Sequence, residues 1–322
     1  MTAPARHDVV AFGELVIDLV PGRTEDGQSC FVPKPGGAPG NVAVGVARLG
    51  GRAAMLSKVG QEAFGRLMIA TLAGYGVSTE GVLTTREGNT LLAIVTLTPD
   101  GDRDFMFYRN GSADSLYAPA EVALDIIRAA RVLHVGSLVL GQPISAAAQR
   151  HAVRVAQDAG VLVSVDVNLR ASLWPDPEDM RAAALEAAGV ADILKISEEE
   201  LAFLTGAPDI AGGIAKLWHP KLRAMAVTLG PAGAVLATPR HQVKVPGFSV
   251  KVADTVGCGD AFTASLLTDL AASPDNLESP EGLSRLARRA CATGAITATS
   301  AGAMESLPTA ERRDAFLASY AG

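Results

Sequence analysis

Apolar residues fall along this chain in two alternating arrangements. Short runs recur as "VVAF", "LVIDLV", "LLAIVTL", "FMFY", "VLHV", "VLVSVDV", "ILKI", "AMAVTL" and "GAVLA". Their length and their β-branched and aromatic content predict strands. Between many of them lie Ala- and Leu-rich stretches with the helical period. In "PGNVAVGVARLG", Val42, Val46 and Leu49 share one face, and Gly50–Gly51 ends the helix. "SAAAQRHAVRVAQDAG" and "EGLSRLARRACATGAITA" also read as helices. Phe262, Leu266, Leu267 and Leu270 form another helical stripe behind "GCGDAF", so a helix is expected to begin near Cys258. Strand–helix alternation implies βαβ units and a mostly parallel sheet covered on both faces.

Two regions break that rhythm. Residues 13–34 and 89–110 read as strands without an intervening helix, and "PDGD" marks a turn between two β-rich runs. These segments are expected to pair as a small sheet apart from the main one, able to close over a ligand. No long linker or internal repeat interrupts residues 1–322, which suits one α/β domain with insertions.

Composition narrows the function. Hydrophobic residues make up 48% and charged residues 19%, enough apolar material for a large core. The net charge of −6, without a basic block, argues against nucleic acid or an anionic membrane as a partner. Cys30, Cys258 and Cys291 are an odd, irregularly spaced set, which points to a reducing compartment and not to a disulfide framework. No Cys/His cluster has zinc spacing. The N-terminus lacks an apolar signal segment, and no run approaches ~18 apolar residues. The expectation is a cytoplasmic α/β protein.

The chemistry concentrates where glycines lead into helices. A helix start leaves its first amides unpaired and carries partial positive charge. Glycines let those amides approach an anion closely. In "DTVGCGD", the amides of Gly257, Cys258, Gly259 and Asp260 are expected to cradle a transferring phosphoryl group. Asp260 beside them would take the proton of an attacking hydroxyl. A second glycine-led start, "GGAPGN", brings Gly36, Gly37 and the amide of Asn41, a set suited to a polyhydroxy ligand. Walker A and protein-kinase catalytic-loop sequences are both missing, so phosphoryl transfer would rest on these helix starts.

Together, "GGAPGNVAVGVARLG" and "DTVGCGDAF" resemble the N- and C-terminal signatures of the PfkB (ribokinase-like) sugar kinases. "VGQEAFG", "DILKISEEELAFLTG", "VTLGPAG" and "SAGAMESLP" fall at the expected places, so the resemblance covers essentially the whole chain. It implies a three-layer α/β sandwich with a β-sheet lid, and ATP-dependent phosphorylation of a hydroxymethyl group. It makes Asp260 the general base and Gly257–Gly259 the anion hole, with Val256 and Cys258 where many relatives have Thr and Ala. Cys258 is read as a small filler, and the role of Cys291 is left open.

Finer stretches bear on the substrate. "FMFYRNGSADSLY" and "SVDVNLRASLW" resemble segments of fructokinases, which makes D-fructose the expected acceptor and fructose 6-phosphate the product. Kinases of 2-keto-3-deoxygluconate share parts of both, so that acid is the alternative: Asp114 leans towards fructose, Gly111 slightly away. Ribose, or a non-catalytic binder of sugar or nucleotide on the same fold, comes after these. By the resemblance Asp18, Gly36, Gly37, Asn41, Asn168 and Arg170 bind substrate, and Arg109 closes on it from the lid. Asp166 either touches ligand or orients its neighbours. Lys195, Glu200, Thr228, Gly230, Gly233 and Asp254 are assigned to the nucleotide side. Glu200 would act on Mg²⁺ through water, with Ser197 replacing the family's Asn; "SEEE" before "LAFL" also reads as a helix N-cap. Carbonyls of Asp254, Val256 and Ser300 would hold K⁺. Several relatives pair their lids, so a homodimer through the lid is expected.

Overall fold

The computed structural model describes residues 7–97 and 103–320. Among these, nine strands form one sheet and four form a second. In chain order they are β1 (His7–Phe12), β2 (Val16–Arg23), β3 (Ser29–Gly36), β4 (Ala53–Gly60), β5 (Ser78–Thr85), β6 (Leu91–Leu97) and β7 (Arg103–Tyr108). Then follow β8 (Ala130–Gly136), β9 (Leu162–Asp166), β10 (Ile193–Ser197), β11 (Ala224–Thr228), β12 (Ala234–Ala237) and β13 (Gln242–Val245). The large sheet runs β13-β12-β11-β10-β9-β8-β1-β4-β5. Its pairings are parallel from β5 through to β11, and β12 and β13 are added antiparallel.

A parallel sheet needs cover on both faces, because each crossover lays a helix over it. Successive residues of β1 show this: Val9 and Ala11 enter one apolar layer, Val10 and Phe12 the other. The first layer is closed by Val42 and Val46 of the Ala38–Arg48 helix, Phe262 and Leu266 of the Cys258–Ala272 helix, and Leu283 of the Pro280–Thr297 helix. The second is closed by Ala148 and Ala152 of the Pro143–Asp158 helix and Leu201 and Leu204 of the Glu198–Thr205 helix. This is the expected three-layer α/β sandwich. Each fully buried Leu or Phe here contributes roughly 1.5–3 kcal/mol.

The four-stranded sheet has the order β3-β2-β6-β7, joining the two segments that lacked helices. Asp18 on β2 stands beside Lys34 on β3 and Ala93 on β6. Val16, Leu91 and Ala93, with Phe105 and Phe107, give the lid a small apolar cluster of its own. Phe31, Met106 and Tyr108 share the opposite face and are exposed. Lys34 ties the lid to the body through a 2.8 Å ion pair with Glu305. The "PDGD" turn lies outside the described residues. None of the described helices is long and apolar enough to cross a membrane.

Three strands were not foreseen. β4, "AAMLSKVG", is buried throughout, yet its small and polar residues hide the apolar run. β5 is largely polar, and the edge strand β13 is only four residues long, Gln242–Val245. Their position in the sheet makes them strands, not their propensity.

Candidate active site

The helix expected near Cys258 begins there, with Gly257 as its N-cap at φ 79°. That left-handed conformation suits glycine because an added side chain would crowd the following carbonyl. The first true intrahelical bond is Ala261 N to Gly257 O, 2.8 Å. Among the described residues the amides of Gly257, Gly259 and Asp260 have no protein acceptor. The Cys258 amide donates to Thr255 O at 3.3 Å, so the expected four-amide cradle is three amides plus one already engaged. Burial pushes the Cys258 thiol up to about 12, in keeping with a small neutral filler. The Cys291 thiol is also pushed up to about 12 by burial.

Asp260 occupies the third position of this helix and is buried. Its Oδ2 accepts a 2.7 Å hydrogen bond from Asn41 Nδ2. Burial raises its pKa to about 6, a shift of about 3 kcal/mol against the charged form. The Asn41 bond works against that rise, Asp166 adds to it, and the charges of Arg170 and Lys195 pull it back. The result is a carboxylate poised to take a proton just below neutral pH. Asn41 Oδ1 is buried without a protein partner, an acceptor left for a ligand hydroxyl.

Beneath them lies a paired charge. β9 and β10 place Asp166 and Lys195 side by side in register. Lys195 Nζ donates to Asp166 Oδ1 at 3.0 Å, and Thr263 Oγ1 donates to Asp166 Oδ2 at 3.2 Å. Asp166 thus orients its neighbours. Burial alone would discharge Lys195, but Asp166, Glu200 and Asp260 outweigh it and hold the ammonium charged. A Cβ on Gly259 would sit 3.1 Å from Lys195 Nζ, so the cation lies directly behind the free amides. His134 against Ser164 is pushed down to about 4 by burial and stays neutral.

On the side expected to face the acceptor, Asp18 is half-buried. A Cβ on Gly36 would come within 3.1 Å of its Oδ2. Gly37 is the N-cap of the Ala38–Arg48 helix at φ 98°. Asn168, two residues past the end of β9, sits in the left-handed region at φ 43°, which Asn tolerates better than most residues. Arg170 is exposed, and its charge reaches both Asp260 and Glu14. Arg109, expected to close on the acceptor from the lid, is already engaged within the protein. It lies buried at the root of the lid, bound to Asp114 Oδ2 and Leu138 O, each at 3.2 Å.

On the nucleotide side, Ser197 caps its helix and shares a capping box with Glu200. Glu200 Oε2 accepts from Ser197 N at 2.9 Å and Oε1 from Leu169 N at 2.7 Å. Thr228 ends β11, and Gly230 at φ 54° and Gly233 at φ 101° shape the turn into β12. A Cβ at Gly233 would strike Val245 O, so this glycine answers to packing against β13. Asp254 Oδ1 accepts from Val256 N at 3.1 Å and Oδ2 from Gly302 N at 2.9 Å, which draws the 254–256 loop to the segment holding Ser300. No group of three or more His, Cys, Asp or Glu among the described residues could hold a metal.

Compared with known protein families, residues 6–310 match the pfkB family carbohydrate kinase model. The chain belongs to the pfkB family. As a pfkB-family carbohydrate kinase, it is an ATP-dependent sugar kinase. Fructokinase-2 of Solanum lycopersicum is 45% identical over 308 residues, covering 94% of this chain and 93% of the relative. A fructokinase with bound ATP from Xylella fastidiosa superposes with a TM-score of 0.91 at 31% identity, covering 98% of this chain and 100% of that one. A Vibrio cholerae fructokinase bound to fructose, ADP and calcium gives 0.84 at 34% identity, covering 96% and 98%.

One buried carboxyl near Arg109 and Arg170 escaped the sequence reading. Glu14 is buried behind β1, and burial lifts its carboxyl to about 7 against the pull of Arg109 and Arg170. Its only signal is an acidic residue inside the apolar stretch "FGELVI".

Proposed function

We propose that this kinase transfers the γ-phosphoryl group of ATP to the 6-hydroxymethyl group of D-fructose, with Asp260 as general base. The observation that carries the reading is the meeting of two helix starts. Asp260 stands buried beside free backbone amides and is oriented by Asn41, whose own Oδ1 awaits a hydroxyl. The names borne by the relatives, and the fructose and ADP in the Vibrio structure, support the choice of sugar.

The sugar sits between Asp18, the Gly36–Gly37 loop and Asn41. Lid closure excludes water that would otherwise accept the phosphoryl group. Asp260 takes the proton of the attacking hydroxyl as the γ-phosphoryl group moves in line. The transition state is loose and its charge spreads over the equatorial oxygens. The amides of Gly257, Gly259 and Asp260 meet that charge, and Lys195 reinforces them from behind. Both Glu200 oxygens are already held by amides, which fits an ion carried on the nucleotide and touched through water. Magnesium bound there would neutralise phosphate charge. The loops drawn together by Asp254 would hold a potassium ion through the carbonyls of Asp254, Val256 and Ser300.

The test is initial ADP release with Mg·ATP and K⁺, comparing D-fructose with 2-keto-3-deoxygluconate at matched concentrations. A higher kcat/KM for fructose is expected. Preference for the acid would refute the choice of sugar, and ATP turnover independent of any sugar would refute the transfer.

A further inference from the structure

The root of the lid holds a buried charge cluster that the transfer step leaves unused. Arg109 follows β7 directly and is 7% exposed. Its Nη2 donates to Asp114 and its Nη1 to Leu138 O, while its Nε is buried without a protein acceptor. Asp114 is 3% exposed and held from the other side by Ser112 Oγ, which donates to Oδ1 at 2.5 Å. Glu14 lies close enough to feel Arg109, Asp114 and Arg170. The guanidinium is therefore fixed in place, with one donor open and its charge already matched by a carboxylate.

A fixed guanidinium with an open N–H is what a carboxylate-bearing acceptor would seek. Here the donor remains, but the charge is cancelled. A second carboxylate brought to Arg109 would face Asp114 in a buried setting, where like charges repel strongly. A sugar hydroxyl needs only the donor. We propose that Asp114 sets the acceptor site for a neutral polyhydroxy sugar and against a sugar acid by pairing the charge of Arg109. It is a specificity residue acting through Arg109, and the inference rests on the assignment of this region to the acceptor sugar.

The experiment measures kcat/KM for D-fructose and for 2-keto-3-deoxygluconate with the wild type, Asp114→Asn and Ser112→Ala. Asp114→Asn keeps the shape and removes the charge. The fructose-to-acid ratio is expected to fall about tenfold or more, mainly through a lower KM for the acid. Ser112→Ala, which only loosens Asp114, moves the ratio the same way by less. Equal fractional losses on both substrates would overturn the proposal and leave Asp114 a purely structural residue. If Asp114→Asn fails to melt cooperatively, Ser112→Ala decides: an unchanged ratio overturns the proposal. A wild type that prefers the acid would refute the fructose assignment itself, whereas a fructose-preferring wild type with unchanged ratios in the variants would refute only the role of Asp114.

Discussion

The chain starts a helix behind glycines twice, at Gly37 and at Gly257, and the two starts differ in what surrounds them. Both N-caps have positive φ and neither makes a side-chain capping bond. Around the first, a Cβ on Gly37 would sit 2.7 Å from Glu14 O, and one on Gly40 would sit 2.6 Å from Leu15 Cδ2. Pro39 also removes an amide from that turn. Around the second, the nearest atom to a Cβ on Gly257 is 3.4 Å away, and the nearest to one on Gly259 is the Lys195 ammonium. The first start is packed shut against the body, and its glycines serve close packing. The second is open and backed by a cation, which leaves room for the anion of the proposed reaction. A glycine-rich helix start is thus no anion site by itself; the neighbouring chain decides.

If that contrast is right, substitutions at the two starts should fail differently. Asp260→Ala should lower kcat by about 10³-fold or more with little change in ATP affinity; steady-state kinetics within tenfold of wild type would remove Asp260 from the base role. The glycines should differ in stability. Gly37→Ala meets backbone atoms as well as an unfavourable φ and should cost upwards of about 2 kcal/mol, against about 1 kcal/mol for Gly257→Ala. Chemical denaturation of both variants measures the gap, and equal losses would mean the first start is not packed shut. The smallest effect is a pH shift. Because Asp260 must be ionised to act and titrates at about 6, kcat/KM for the sugar should rise through that pH and level off above it. Asn41→Ala removes a bond that favours the carboxylate, so the acid limb should move upwards while kcat falls about tenfold. A limb that stays put would detach Asn41 from the titration of Asp260.

Both glycine signatures could be read from the chain because their spacing to the following apolar stripes is local. Phe262, Leu266 and Leu270 announce where the second helix starts, and Asp260 follows by counting. The central strands were visible for the same reason, as uninterrupted apolar runs. What escaped depends on register between distant segments. Lys195 meets Asp166 only because β9 and β10 align them, and the sequence alone assigned Lys195 to the nucleotide. Arg109 read as a mobile lid residue because nothing in "FMFYR" shows that Asp114, five positions on, folds back to hold it. Glu14 drew no notice in the sequence, since its environment is made by Arg109, Asp114 and Arg170 arriving from elsewhere.

The hydrogen bond between Asn41 and Asp260 joins residues 219 positions apart. During synthesis at about 5–20 residues per second, the partner of Asn41 emerges on the order of ten seconds or more after it. Until then the apolar layer that Val42 and Val46 help to build also lacks Phe262, Leu266 and Leu283. A chain cut short of residue 260 therefore loses the packing of its first helix together with the carboxylate beside Asn41.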